Sequence, residues 1–311
     1  MGKSISEISS VIRVSGLRKS FGKIRAVDGI NFEVERGTVF ALLGPNGAGK
    51  TTAISMLEGL LQRDSGNIEI LGMDPWAEHG TVRMRIGVMP QGFNFFEKLT
   101  PLDSLVFYRD LFESSVDPES LLRLVILDDS RNVPFEKLSG GQKQKLGLAL
   151  SLVNDPEILF LDEPTTGLDP SARRAIWSII RMFRDRGKTI ILTTHYMEEA
   201  EQLADNIAII SHGRIIAEGS PEGIVSRYGS GRKVVIKAGK EMGDFLSSER
   251  IEASVNGKYF EIRLDPETNL SSLIGLIEDS GISYSQLTVR ADSLEDVFIR
   301  LVGEMSEGEL K

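Results

Sequence analysis

The stretch Val39-Phe-Ala-Leu-Leu-Gly-Pro-Asn-Gly-Ala-Gly-Lys-Thr51 decides how this chain is read. Its first five residues form a continuous apolar run, the pattern of a strand buried on both faces. The next eight, Gly44, Pro45, Asn46, Gly47, Ala48, Gly49, Lys50 and Thr51, fit G-x-x-x-x-G-K-[ST], and a helical pattern over about 49–60 follows. Strand, glycine-rich loop and helix in that order make a phosphate-binding loop. Glycines let backbone N–H groups close around an anion, and the helix start adds the positive end of its dipole. Lys50 brings charge to the β- and γ-phosphates and Thr51 a hydroxyl to Mg2+, with Thr52 beside it in the same turn.

Working outward, further apolar runs at 158–161, 189–192 and 207–210 alternate with helical patterns at about 140–153, 171–185 and 197–204. This is an α/β layout built on a parallel sheet. The stretch 100–135 favours helix and lacks strand runs, so it reads as a helical insertion in that core. Ile158-Leu-Phe-Leu-Asp-Glu163 ends a buried strand on two adjacent carboxylates. Asp162 is placed to hold Mg2+, and Glu163, expected on the opposite face of the strand, to polarise an attacking water. Leu138-Ser-Gly-Gly-Gln142 opens a helix with an apolar stripe at Leu146, Ala149, Leu150 and Val153. Small residues with free N–H groups at that helix start form a second anion site. One nucleotide does not need two such sites on one chain.

At this point the sequence closely resembles the ATP-binding subunits of ABC transporters. Leu138–Gln142 (LSGGQ) is similar to their signature motif and stands 20 positions ahead of the strand that carries Asp162. Gln91, in Val88-Met-Pro-Gln91, resembles the Q-loop. Asp169, in Gly167-Leu-Asp-Pro170, resembles the D-loop, and His195, in Thr193-Thr-His195, the switch histidine. Phe21 resembles the aromatic that stacks on adenine, where the family more often has tyrosine. Taken singly, Gln91 reads as a surface residue, His195 as a loop histidine and Phe21 as core. The six motifs in order, over about residues 10–228, carry the functional reading.

The resemblance implies a P-loop nucleoside triphosphatase core with antiparallel β and helical subdomains, the helical one at about 100–155. It also implies a Mg-dependent ATPase that binds two ATP head to tail across a dimer. Ser139, Gly140, Gly141 and Gln142 of one chain would then face the loop 44–51 of the other. Glu163, His195 and Gln91 take catalytic roles, and Thr51, Gln91 and Asp162 hold the metal. The dimer is expected from a second copy or a paired homologue, and transport from a separate transmembrane permease. The placement expected is cytoplasmic, peripheral on the inner face of the cell membrane. His195-Tyr-Met-Glu-Glu-Ala-Glu201 and Ser293-Leu-Glu-Asp-Val-Phe-Ile299 resemble export ATPases of the daunorubicin-resistance type. The rival reading, a soluble ABC ATPase acting on ribosomes or nucleic acid, usually carries two motif sets, and this chain has one.

Composition agrees. A chain of 311 residues with 41% hydrophobic and 26% charged residues has the length of about two domains. There is no cysteine, hence no disulfide framework and no thiolate metal site. The histidines, His79, His195 and His212, are too scattered for a zinc site. A net charge of −9 gives no footprint for nucleic acid, so no nucleic-acid partner is expected. No apolar run approaches membrane-spanning length, and the first ten residues lack the apolar core of a secretory signal. Gly2 and Ser6 fit a loose myristoylation pattern and Asn269-Leu-Ser271 is a formal sequon; neither is given a role.

A glycine-rich break at Tyr228–Arg232 divides the expected domains, 1–230 and 231–311. Residues 232–311 carry 15 acids and 10 bases. A strand at 233–238, a hairpin turning on Asn256-Gly257 and helices near 269–279 and 293–302 make this a small acidic α+β domain.

Overall fold

The computed structural model describes residues 10–92, 94–229, 231–264 and 270–308. Gly2, Ser6 and Asn269 lie outside them. The chain divides into two compact units, Met1–Pro221 and Glu222–Lys311. This division falls ahead of the expected 230/231 boundary. The chain leaves its last strand of the first unit at Gly219, and the helix that follows groups with the second.

In the first unit the strands are β1 (Ser10–Phe21), β2 (Ile24–Glu35), β3 (Val39–Leu43), β4 (Ser65–Ile70), β5 (Ile86–Met89), β6 (Ile158–Asp162), β7 (Thr189–Thr194), β8 (Asn206–Ser211) and β9 (Arg214–Gly219). The helices are α1 (Lys50–Leu57), α2 (His79–Arg83), α3 (Pro101–Leu111), α4 (Pro118–Leu124), α5 (Gly140–Leu150), α6 (Pro170–Asp185) and α7 (Met197–Leu203). One sheet runs β5-β6-β7-β3-β8-β9, parallel except for β9. A second, antiparallel sheet runs β2-β1-β4.

The central strands read as continuous apolar runs because both faces are covered. Phe40 and Leu42 of β3 and Phe160 of β6 join Ile12, Val14, Phe32 and Val34 of the antiparallel sheet in one core. Phe32 stacks on Phe40 with ring centroids 5.0 Å apart. The insertion between β5 and β6 is helical, as its composition suggests. Thr100 and Asp103 form a capping box at the start of α3, and Asp117 caps α4 through the N–H groups of Glu119 and Ser120.

Helix α8 (Pro221–Tyr228) starts on the last residue of the first unit and leads into the second. The second unit continues as β10 (Arg232–Ala238), α9 (Lys240–Ser248), β11 (Ala253–Asn256), β12 (Tyr259–Leu264), α10 (Leu270–Asp279), β13 (Tyr284–Ala291) and α11 (Leu294–Gly308). Its sheet runs β11-β12-β10-β13, antiparallel throughout. From β10 to β13 the order is βαββαβ, the doubly split βαβ of the ferredoxin-like fold. Val234, Ile236, Phe260 and Ile262 of the sheet pack on Met242 and Leu246 of α9 and on Leu273 and Ile277 of α10. This unit therefore has a core of its own. The hairpin turns one residue later than its Asn-Gly pair suggests. Asn256 pairs with Tyr259, leaving Gly257 and Lys258 in the turn. Gly257 alone of the two takes positive φ, 62°, which is the type II′ pattern rather than type I′.

Gly87 lies where β5 meets the C-terminal end of α5. A Cβ there would stand 1.9 Å from the carbonyl oxygen of Ser151 and 2.8 Å from Leu159 Cδ2. We expect Gly87→Ala to destabilise the first unit by about 2–3 kcal/mol through overpacking against backbone. Urea denaturation of the two proteins side by side measures it; equal midpoints would contradict the packing described.

Candidate functional site

The loop between β3 and α1 is shaped by its backbone. Gly49 has φ 106°, and a Cβ on it would fall 2.2 Å from the carbonyl oxygen of Ala26. Only glycine fits there. Lys50 is buried and folds back over the loop, donating to the carbonyls of Gly44 at 2.8 Å and Pro45 at 3.1 Å. Burial pushes its pKa down, against the charges of Glu163 and Asp162.

Two carboxylates at the end of β6 meet the first turn of α1. Asp162 Oδ2 accepts from Thr51 Oγ1 at 3.3 Å, and Asp162 Oδ1 accepts from Thr193 Oγ1. Glu163 Oε1 lies 3.6 Å from Lys50 Nζ. Strand alternation would send Asp162 and Glu163 to opposite faces, as the sequence suggests. The structure instead brings both to α1. Glu163 has left-handed backbone, φ 49°, and its N–H donates to Thr193 Oγ1 at 3.0 Å and to Thr193 O at 3.2 Å. Such a conformation costs about 1–3 kcal/mol and persists only where its surroundings hold it.

Three more groups close on Glu163. Its Oε2 accepts from Gln91 Nε2 at 2.9 Å and from Thr166 Oγ1 at 2.9 Å. His195 Nδ1 stands 3.3 Å from Oε1, an ion-pair distance without hydrogen-bond alignment. Burial pushes the Glu163 carboxyl up, but Thr166, His195 and Lys50 together outweigh it. Its pKa is held below the ordinary glutamate value, so it stands ready as an acceptor at neutral pH.

The structure thus gathers the loop 44–51, Gln91, Asp162, Glu163 and His195 into one cluster. It does not gather the rest. Phe21 stands half-exposed at the tip of the β1–β2 hairpin, with Lys19 Nζ 5.7 Å from its ring centre. Ser139 and Gln142 close a capping box on α5, and Gln142 Nε2 donates to Ser130 Oγ at 2.7 Å. The nearest side chains beside Gly140 and Gly141 are Leu168 and Ala172. Asp169 caps α6 through Ser171 N and Ala172 N. None of these contacts reaches Lys50 or Glu163.

Sequence reasoning passed over three residues. Thr193 orients both Asp162 and the backbone of Glu163; its signal was a hydroxyl ending the apolar run 189–192. Thr166 reads only as loop. Glu58 follows α1 directly and reads as a surface glutamate, yet it is buried. Burial, with the charge of Asp162 adding to it, raises its pKa to about 8.

Residues 27–166 match the ABC transporter family. The chain is 39% identical to the Nod factor export ATP-binding protein I of Ralstonia nicotianae, over 94% of each. It is 36% identical to the daunorubicin resistance ATP-binding protein DrrA3 of Streptomyces coeruleorubidus, over 95% of this chain and 96% of that protein. A solved ATP-binding subunit of an ABC transporter superposes with a TM-score of 0.63 at 28% identity, over 70% of this chain and 93% of that one. The chain belongs to the ABC transporter family, as an ATP-binding subunit. It is an ATPase coupled to transport, and its relatives are of the export type. No helix among the described residues is long and apolar enough to cross a membrane.

Glu58 makes the stability of the nucleotide- and metal-free protein depend on pH. Its folded pKa is raised to about 8 from an ordinary 4.5. The folded state then holds a proton that the unfolded state releases between those values, so stability is full below about 4.5 and falls as pH rises toward 8. Glu58→Gln should remove that slope, gaining on the order of 3 kcal/mol on the parent between pH 5 and pH 8. Denaturant titrations of both proteins at the two pH values check this; parallel profiles would refute it.

Proposed function

We propose that this subunit binds Mg-ATP at the cluster around Lys50 and hydrolyses it within a head-to-tail dimer, driving export through a separate membrane partner. The observation that carries the reading is the convergence of Lys50, Thr51, Asp162, Glu163, Gln91 and His195. They assemble at one helix start from four separate segments of chain. Lys50 would leave its two carbonyls for the β- and γ-phosphates. Glu163, polarised by Gln91, Thr166 and His195, would orient the attacking water and take its proton. His195 would hold the γ-phosphate in line, and Phe21 would stack on adenine.

The Thr51 hydroxyl and the Asp162 carboxylate, 3.3 Å apart, are hard oxygen donors of the kind that Mg2+ takes alongside phosphate oxygens. Gln91, now bonded to Glu163, would add its amide oxygen. The ion, when bound, neutralises charge across the phosphates.

The dimer is supported by a second helix start. Gly140 and Gly141 begin α5 among Leu168 and Ala172 rather than beside Lys50. A partner chain would bring Ser139–Gln142 and Asp169 to the nucleotide of this one. The partner is a second copy or a paired homologue. For the membrane partner, the supporting feature is apolar surface on the helical insertion. Phe96, Phe107 and Leu111 are exposed on and beside α3, and such a patch marks an interaction site. The subunit would then sit on the cytoplasmic face of the membrane through its permease. The second unit, the expected 231–311, is read as an accessory domain. The relatives named for Nod factor and daunorubicin support export as the direction.

Glu163→Gln should lower ATP turnover by at least about 100-fold while leaving ATP affinity within a few-fold, because it removes the acceptor and keeps the shape. Steady-state phosphate release and nucleotide titration test it; wild-type turnover would sink the assignment. Introduced thiols test the dimer. Asn46 of the loop and Ser139 at the start of α5 are exposed and can each carry a thiol. With no native cysteine, mixing Asn46→Cys and Ser139→Cys proteins with ATP and mild oxidant should give a band at twice 34.3 kDa. A disulfide needs Cα atoms within about 7 Å. Its absence with ATP present, while each thiol reacts freely with a small reagent, would overturn the shared site.

A further inference from the structure

Behind the catalytic cluster lies a buried carboxylate that the chemistry above does not use. Glu199 sits in the first turn of α7, fully buried at 0% exposure. Its Oε1 accepts from Thr165 Oγ1 at 2.7 Å and from Trp177 Nε1 at 2.9 Å. Both donors are themselves buried. The three side chains come from three segments: the turn that follows β6, the middle of α6, and α7.

Each segment leads to the catalytic cluster or to the expected dimer face. Thr165 is two residues past Glu163, and its neighbour Thr166 donates to Glu163 Oε2. The same turn closes through Leu168 N to Thr165 O at 3.2 Å and ends on Asp169, the cap of α6. His195 precedes α7. Tyr196 stands at the start of that helix, with its N–H donating to Thr194 Oγ1 at 3.0 Å, and Arg173 of α6 lies over the Tyr196 ring at 4.3 Å.

We propose that Glu199 is a positioning residue: it locks His195, through α7, to the Thr165–Asp169 turn, so that the histidine and Glu163 keep one spacing. The inference rests on the roles given above to Glu163 and His195. A buried acid is a costly way to fill space. A methionine would occupy much the same volume without any desolvation penalty. What the acid supplies is one oxygen that accepts from two buried donors on two different segments, each of which would otherwise be orphaned at a cost of its own. Burial raises the Glu199 pKa, in keeping with a group that acts as a fixed acceptor rather than as a free charge.

Glu199 Oε2 and Arg173 Nε are both buried without a hydrogen bond of regular geometry, although the Thr194 hydroxyl and the Arg173 charge both act on the Glu199 carboxyl. The Arg173 charge does so across the seam between α6 and α7.

The test is made on the full chain, with ATPase kinetics and nucleotide affinity measured together. Glu199→Met should lower kcat about tenfold or more, equivalent to about 1.4 kcal/mol of lost transition-state stabilisation, with KM for ATP changed less than about threefold. Glu199→Gln, which keeps the acceptor oxygen, should restore kcat to within about threefold of the parent. Thr165→Val removes only the hydroxyl and should lower kcat in the same way. The double variant Glu199→Met with Thr165→Val should be no slower than the worse single variant, because both act on one bond. If Glu199→Met does not fold, the Thr165→Val result decides. Parent-like kcat in Glu199→Met and Thr165→Val overturns the proposal, as does a loss carried equally by KM. His195→Ala is measured alongside. If it turns over normally, the reading of the site itself has failed; if it is inactive while Glu199→Met is not, only the positioning role falls.

Discussion

The buried pair of Lys50 and Glu163 is the constraint on which the site depends. A lysine and a glutamate, both nearly sealed from water, stand 3.6 Å apart at the junction of β6 and α1. Neither is comfortable alone. Desolvating one such charge costs several kcal/mol, and mutual attraction offsets it only with good geometry and further hydrogen bonds. Those bonds are present. Lys50 spends its donors on Gly44 and Pro45, and Glu163 accepts from Gln91 and Thr166. The cluster is thus a compact set of charges held ready for a polyanion. Phosphate oxygens would draw Lys50 forward and leave Glu163 free to serve a water.

That arrangement explains why backbone strain is tolerated at Glu163. A regular strand would present Asp162 to α1 and turn Glu163 away, leaving one carboxylate where the proposed reading needs two. The left-handed step at Glu163 places both on the same side. Thr193 holds the step with its hydroxyl and its carbonyl while also gripping Asp162. Strand β7 therefore does more than fill the sheet. It fixes the two carboxylates through one threonine and ends at Thr194, directly before His195.

Much of this was legible in the sequence, and the reason is local. The phosphate loop, the Asp-Glu pair and the signature are contiguous motifs whose chemistry requires residue types at fixed spacing. The parallel strands were legible because burial on both faces leaves unbroken apolar runs. What escaped was whatever depends on register or on distant partners. The pairing of β1 with β2 and β4 shifts register, between Val14 and Leu17 for example, which blurs the period-two signal. The direction of Glu163 depends on one φ angle. Glu58 reads as an exposed helix residue because nothing near it in sequence reveals what covers it. The glycine-rich break at Tyr228–Arg232 reads as the domain boundary in sequence, whereas the compact units divide at Pro221, where the preceding helix begins.

The second unit shows a different use of the same physics. Its βαββαβ order places α9 and α10 against one face of a four-stranded sheet, and its apolar residues form a core apart from that of the first unit. The opposite face is polar but not simply solvated. Lys233 of β10 is buried there, 2.6 Å from Asp296 of α11 and 3.2 Å from Glu261 of β12. Burial raises the Asp296 carboxyl, but Lys233, Ser293 and the local backbone outweigh it and bring its pKa to about 2. The Leu-Glu-Asp-Val-Phe segment that resembles the export relatives thus has a physical task. Its aspartate pins the last helix to a buried lysine on the central strand, while Leu294, Val297 and Phe298 bury its apolar side. A motif visible in sequence as a likeness is, in the folded chain, an anchor that sets where the last helix docks.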